Sequence, residues 1–252
     1  KELVAESIHT ASKRAGKRFV SQNCAAIPGN LLESILFGTK KGSYTGAENK
    51  PGLFEIANGG TLFLDEINSM ELNVQAKILK AIEEKQVVRL GGYEPTKTDI
   101  KVISAVNERP MDCVKAGKLR EDLFYRLSVV QVNIPPLRER RNDILYMTNR
   151  FIETYNQSMH RDIMGLDEQV EKLFRNYAWP GNVRELKNII EGAFNVASTR
   201  FIQKKDLPEY LANPVRFEAA RTAGCEKAIA GSVLRTEVDE NHLVESDFNE
   251  FA

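Results

Sequence analysis

Gly59-Gly60-Thr61-Leu62-Phe63-Leu64-Asp65-Glu66 is an apolar run that stops abruptly at two adjacent carboxylates. Residues 62–64 read as a strand buried on both faces, the pattern of a parallel sheet covered by helices. Two acids have no place in such a core. They fit just past the strand's C-terminal end, where open α/β sheets hold their ligands. Because side chains alternate with period two along a strand, neighbours at its tip can face different parts of one ligand, Asp65 a Mg2+ ion and Glu66 a water. That division suits nucleoside triphosphate hydrolysis, where metal positioning and orientation of the attacking water supply most of the catalysis. A strand that ends in a solvated turn is the competing reading of this stretch alone.

Composition bounds the rest. A chain of 252 residues allows one or two domains, and 42% hydrophobic residues suit a globular core. Thirty-five basic residues balance 35 acidic ones, so no global field draws the chain onto nucleic acid or anionic lipid. Any DNA contact is therefore local or lies outside the chain. Cys24, Cys113 and Cys225 are odd in number and widely spaced, which predicts free structural thiols in a reducing compartment. No apolar run approaches the roughly 18 residues that span a membrane, and no charged-then-apolar leader opens the sequence. The expectation is a cytoplasmic protein with no membrane partner.

The first residues go straight into a helical pattern, with Leu3, Val4, Ile8 and Ala11 predicted to form one apolar face. A lysine at a helix start is unfavourable unless it faces an anion such as phosphate. Lys1 is thus either a phosphate ligand or a terminal lysine in solvent. Phe19-Val20 reads as a strand and residues 28–36 as a helix with Pro28 early in it. Residues 38–52 form a loop rich in Gly, Lys, Ser and Thr, with Tyr44 as its only aromatic; a loop this long is usually functional or disordered. Residues 71–84 are amphipathic through Val74, Ile78, Leu79 and Ile82. After a Gly91-Gly92 turn and a polar loop, residues 100–106 read as another buried strand, tipped by Asn107.

Residues 129–134 read as a strand that Pro135-Pro136 stops, and the chain then turns helical over 143–155, 167–177 and 182–197. For the last helix, Asn182 is the expected cap and Glu185 its capping-box partner, with Val183, Leu186, Ile189, Ile190, Ala193 and Phe194 on one face. Arg184 then falls in the first turn, where no dipole argument favours a cation; it faces either an anionic partner or solvent. Arg120 and Arg126 stand six residues apart, on different faces of any helix. They either pair locally with Glu121 or Asp122 or reach phosphate across a subunit boundary.

The strings LFG (36–38), GSYTGA (42–47), GGTLFLDEI (59–67), LREDLFYRL (119–127), PPLRER (135–140) and WPGNVREL (179–186) occur together and in order. Across roughly residues 1–213 the sequence resembles the central AAA+ ATPase domain of bacterial enhancer-binding proteins, the activators of sigma-54 RNA polymerase. The resemblance implies an α/β P-loop NTPase core with a parallel sheet over 1–140, an all-α lid over 141–213, and a tail over 214–252 of unassigned role. It implies ATP and Mg2+ as ligands, with Asp65 and Glu66 as the Walker B acids, for the metal and for polarising water. Asn23 matches the switch asparagine that holds that glutamate, Asn107 matches sensor I, and Arg184 matches the sensor II arginine. Arg120 and Arg126 match the arginines that complete a neighbour's site in a ring, commonly a hexamer. Lys1 matches the Walker A lysine, followed here by Glu2 where other P-loop proteins have a Ser/Thr metal ligand.

The same resemblance implies that Gly42, Ser43, Tyr44, Thr45, Gly46 and Ala47 contact sigma-54. The family's usual form is GAFTGA; Ser43 is small and turn-compatible, and Tyr44 keeps the ring and adds a hydroxyl, so engagement is expected to survive, with Tyr44 and Thr45 at the tip. The glycine-rich loop and strand expected before Lys1 are not in this sequence, so the chain as given is expected to hydrolyse ATP poorly. Residues 214–252 hold four basic residues against eight acidic ones, which opposes phosphate binding. No recognition helix is evident there, so promoter or enhancer DNA is expected to be reached through a domain beyond this chain. The alternative from another class is a nucleotide-binding, oligomeric regulator of the same fold that acts without sigma-54.

Overall fold

The structure, a computed structural model, describes residues 1–44 and 46–212. Thr45, Asn213, the tail over 214–252 and Cys225 with it lie outside the described residues. In chain order, α1 (Glu2–Thr10) leads to β1 (Phe19–Asn23), α2 (Gly29–Phe37), β2 (Gly38–Thr39), β3 (Lys50–Pro51), α3 (Leu53–Ile56) and β4 (Thr61–Asp65). Then follow α4 (Leu72–Glu84), β5 (Gln86–Val88), β6 (Pro95–Lys97), β7 (Lys101–Ser104), α5 (Pro110–Lys115) and α6 (Glu121–Leu127). The second half carries α7 (Arg141–Met159), β8 (Gly165–Leu166), α8 (Glu168–Asn176), α9 (Asn182–Val196), β9 (Phe201–Ile202) and α10 (Glu209–Ala212). The chain divides into two units, Lys1–Ile134 and the residues from Pro135 onward.

In the first unit β4 lies between β1 and β7, all parallel. A central parallel strand is covered on both faces, and Leu62, Phe63 and Leu64 are accordingly shut off from solvent. The strand enters the sheet through Gly60, where a Cβ would sit 2.1 Å from the Arg18 carbonyl oxygen; only glycine fits so close an approach. From α4, Val74 and Ile78 join a core that also takes in Leu32, Leu36, Phe54 and Leu123.

Several sequence expectations are corrected here. The buried face of α1 is Ala5 and His9, whereas Leu3 is 78% exposed and Val4 and Ala11 are exposed too. His9 is tolerated inside because both ring nitrogens have partners, Thr61 Oγ1 at 2.9 Å and the Lys17 carbonyl at 3.2 Å. Hydrophobic spacing alone does not reveal such a satisfied histidine. Residues 129–134 form no strand: Val129 and Val130 are 84% and 79% exposed. β-propensity needs a neighbouring edge to supply ladder bonds, and no described strand lies against these residues. The Gly91-Gly92 turn lies within an antiparallel hairpin of β5 and β6, read from sequence only as a polar loop.

The second unit packs α7, α8 and α9 around Trp179, Phe174, Phe194 and Ile190, all at 0% exposure. Trp179 Nε1 donates to the Phe174 carbonyl at 2.8 Å, so the indole is buried without an orphaned N–H. Among its described residues the regular structure is helical apart from the two-residue parallel pair β8–β9. Asp167 caps α8 by accepting from Val170 N–H. At α9 the expected cap is corrected: Gly181 occupies the N-cap, and Asn182, at φ 52°, instead accepts from Leu137 N–H through Oδ1 at 2.8 Å. The reciprocal half of the expected box is present, since Glu185 Oε2 accepts from Gly181 N–H at 2.8 Å.

Candidate active site and its projecting loop

Parallel register sets the candidate residues at one edge of the sheet. Asn23, the last residue of β1, stands opposite Asp65, the last of β4. Glu66 follows in the left-handed region, at φ 56° and ψ 46°. A non-glycine residue there costs of order 1–3 kcal/mol, a cost found chiefly at functional sites. The turn throws Glu66 off the line of β4, so the two neighbouring acids leave the strand in different directions. Lys1 Nζ lies 4.0 Å from Asp65 Oδ1, which also accepts from Glu66 N–H at 3.1 Å.

Asn23 Oδ1 accepts from Ala25 and Ala26 N–H at 2.9 and 3.2 Å, bracing the turn after β1. With its oxygen engaged, any hold on a Glu66 carboxylate runs through Nδ2. Asn107 lies three residues past β7, and its Oδ1 accepts from Asn68 Nδ2 at 3.0 Å. Asn68, two positions beyond Glu66, was not singled out by sequence, because an isolated asparagine after a strand looks like any turn residue. Cys24 lies beside this edge, its thiol pushed up to about 12 by burial first and then by the charges of Asp65 and Glu66. It stays a protonated, unreactive thiol. Cys24 and Cys113 are both free and buried.

A single strand-end carboxylate suits Mg2+, which is usually held by one or two carboxylates with waters and phosphate oxygens. Asp65 supplies that hard oxygen donor. Among the described residues no group of three or more His, Cys, Asp or Glu could hold a metal unaided, so this donor set fits an ion shared with a phosphate ligand.

Arg120 is the N-cap residue of α6, and its guanidinium bonds Asp122 in two places, Nε to Oδ1 at 3.0 Å and Nη2 to Oδ2 at 2.6 Å. That is the local pairing left open by the sequence. The Arg120 pairing in turn holds the Asp122 carboxyl below its ordinary range. Arg126 is exposed in the last turn of α6. Neither arginine is hydrogen-bonded or ion-paired to Lys1, Asp65 or Glu66. Arg184 is exposed in the first turn of α9, in the second unit.

Residues 38–52 are a loop with a built neck. β2 and β3 pair at its base, Thr39 Oγ1 donates to the Glu48 carbonyl at 2.6 Å, and Asn49 Oδ1 accepts from Lys41 N–H at 2.9 Å. Above the neck, Gly42 and Gly46 take φ of 91° and 84°, and Tyr44 is 53% exposed between them. Ser43 is half-buried and Ala47 is buried. The β5–β6 hairpin runs alongside: Leu90 N–H donates to the Gly38 carbonyl and Lys40 N–H to the Leu90 carbonyl, each at 3.0 Å. Glu55, in α3 just past the neck, clasps Arg89 of this hairpin through two bonds of 2.7 Å.

Sequence did not expose this clasp, since 34 residues separate its partners. The Arg89 bond holds the Glu55 carboxyl below its ordinary value of 4.5. A depressed folded pKa means that the ion pair stabilises the fold above the unfolded carboxyl's pKa and is lost as pH falls through the lower folded value. Glu55→Gln is therefore expected to cost about 1.5–3 kcal/mol at neutral pH, the range for charged hydrogen bonds. In denaturant titrations its deficit against wild type should shrink below pH 4.5; a deficit independent of pH removes the ion pair as its cause.

A family model described as "Sigma-54 interaction domain" matches residues 1–133, and one described as "AAA+ ATPase lid domain" matches residues 138–223. The chain is 52% identical over 195 residues to the transcriptional activator RocR of Bacillus subtilis (strain 168), covering 77% of this chain and 42% of RocR. It is 47% identical over 216 residues to the regulatory protein AtoC of Escherichia coli (strain K12), covering 85% of this chain and 47% of AtoC. Among solved structures, NtrX from Brucella abortus in complex with ADP superposes with a TM-score of 0.78 at 33% identity, over 84% of this chain and 47% of NtrX. The chain thus spans less than half the length of these relatives. With a parallel sheet ending in paired acids, a necked loop bearing Tyr44 and a second unit built of helices, the chain belongs to the sigma-54 interaction domain family of AAA+ fold.

Proposed function

We propose that this chain is the ATP-hydrolysing part of a transcriptional activator that remodels sigma-54 RNA polymerase at promoters. The observation that carries the reading is the register that sets Asn23 opposite Asp65, with Lys1 4.0 Å from that carboxylate and Glu66 turned aside beyond it. Residues 1–140 act as the ATPase core and 141–213 as its lid. Lys1 binds the phosphates, and Asp65 holds Mg2+, whose chemistry is the neutralisation of phosphate charge. Glu66 orients the attacking water and takes up its proton. Asn107 presents its amide to the γ-phosphate, and Arg184 of the lid reaches the same ligand. Arg120 and Arg126 complete the site of the next subunit in a ring, taken as a hexamer. NtrX, a relative in fold and sequence, has been crystallised with ADP, which supports a nucleotide ligand.

Hydrolysis changes what Asn23 and Glu66 face, and the 42–47 loop moves in response; loop states shift only because nucleotide and neighbour differ in affinity between them. Gly42, Ser43, Tyr44, Gly46 and Ala47, with Thr45, carry the contact to sigma-54. The Glu55–Arg89 clasp gives the loop a firm base from which such motion transmits force. Among the described residues no helix is long and apolar enough to cross a membrane. The proposed partner, a bacterial RNA polymerase, is what supports a cytoplasmic site of action. DNA is reached through a domain outside this chain.

The test is Tyr44→Ala in the full-length protein. An exposed aromatic that docks into a partner is an anchor whose truncation costs 2 kcal/mol or more, about 30-fold. Promoter opening by sigma-54 polymerase should fall by about that factor, while ATP turnover stays within about twofold of wild type because Tyr44 touches no candidate catalytic group. Undiminished opening sinks the loop as the coupling device and favours a regulator that works without sigma-54.

A further inference from the structure

Gln75, in the first turn of α4, is fully buried at 0% exposure. Burying a primary amide is unfavourable unless both of its ends are bonded. Here Nε2 donates to the Met70 carbonyl at 3.0 Å and to the Lys118 carbonyl at 2.9 Å, and Oε1 accepts from the Arg120 backbone N–H at 2.9 Å. Two of these bonds grip the segment that starts α6, from both sides of Leu119. The third reaches Met70, at the end of the short turn that follows Asp65 and Glu66. One side chain therefore joins the backbone leaving the paired acids to the backbone that carries Arg120.

Arg120 is in this way held twice, its main chain by Gln75 and its guanidinium by Asp122. The Asp122 pairing is exposed and exchanges readily with another anion. The Gln75 pairing is made by a fully enclosed amide and stays put. We propose that Gln75 is a positioning residue for Arg120, fixing where α6 begins relative to Asp65 and Glu66 and so where the guanidinium is offered to a neighbouring subunit's triphosphate. The proposal rests on the reading of Arg120 given under Proposed function. Electrostatic stabilisation of a transferring phosphoryl group depends on preorganised donors, and a displacement of about 1 Å can cost about 10²-fold. An apolar side chain of equal size would fill the space and leave the three backbone groups without their partner.

The test uses the full-length protein and the direction in which an arginine acts. Gln75→Met keeps the volume and removes all three bonds; alone, its ATP turnover should fall about 10²-fold with KM changed by less than about threefold. Mixed before ring assembly with Glu66→Gln, which lacks the carboxylate but keeps its arginines, it should recover turnover. Each Gln75→Met subunit whose arginine-donating neighbour is Glu66→Gln then receives a correctly placed arginine. Arg120→Ala mixed with Glu66→Gln is the control and should recover to a similar share. Recovery in the control without recovery in the Gln75→Met mixture overturns the positioning role alone. No recovery in either sinks the across-boundary reading of Arg120 and this assignment with it. Gln75→Leu is the second variant should the methionine fail to fold, and loss of the folded state in both, read by thermal unfolding, overturns the proposal in favour of an amide that serves only the fold.

Discussion

Arg120→Ala in the full-length protein is expected to lower ATP turnover about 10³- to 10⁵-fold, the range for an arginine supplied to a neighbour's phosphoryl group. The geometry suits that role, although Arg120 is only half-exposed. Its main chain is anchored at the N-cap of α6 while its guanidinium sits at the surface on Asp122. A surface pair of this kind is weak, so a neighbour's triphosphate competes well for the cation. The planar fork that grips both Asp122 oxygens is the geometry that grips phosphate, and Arg120→Lys should accordingly recover little. Turnover at saturating ATP, with nucleotide binding measured separately, decides the matter. A loss below about tenfold removes Arg120 from the reaction and leaves it as a partner of Asp122 only.

Glu66→Gln should reduce turnover about 10²- to 10⁴-fold, the usual contribution of a positioned general base, with ATP affinity nearly unchanged. Glutamine keeps the length and a hydrogen-bonding oxygen, so a water can still be placed; it cannot take up the proton. The left-handed backbone at Glu66 is a property of the turn out of β4 and not of the carboxylate, which keeps the fold out of the comparison. Single-turnover hydrolysis isolates the chemical step. A variant that turns over within about threefold of wild type moves the base elsewhere, and the strained turn then needs another explanation.

The two predictions differ in how far the sequence alone reaches. The apolar run ending at Asp65 and Glu66 is legible because a strand buried on both faces has no polar alternation, and charges cannot continue it. The helical spacing of Val183, Leu186, Ile189, Ile190, Ala193 and Phe194 is legible from its period of about 3.6 residues, and all are buried as expected except Val183, which is half-buried. The local cap at α9 is misread because Asn182 finds a better partner 45 residues away, in Leu137 N–H. At α1 the apolar stripe is misread because His9, satisfied by Thr61 and Lys17, outranks Leu3 and Val4 as the inward residue. Local rules fail in both places where a long-range hydrogen bond decides the outcome.

What the sequence by itself determined is the class of the fold, the strand that ends in acids and the helical second unit, which rest on hydrophobic period and on residue types within a few positions of one another. The role expected of the 42–47 loop came instead from its resemblance to a family motif. Only the tertiary structure decided that Asn23 stands opposite Asp65, that Glu55 clasps Arg89 and that Gln75 grips the start of α6. Such pairings depend on parallel register and on buried polar groups finding partners 34 to 45 residues away. Nothing in the spacing of a buried amide or a half-buried carboxylate records which distant group it will meet; that is set when the chain closes and every enclosed donor and acceptor must be satisfied at once.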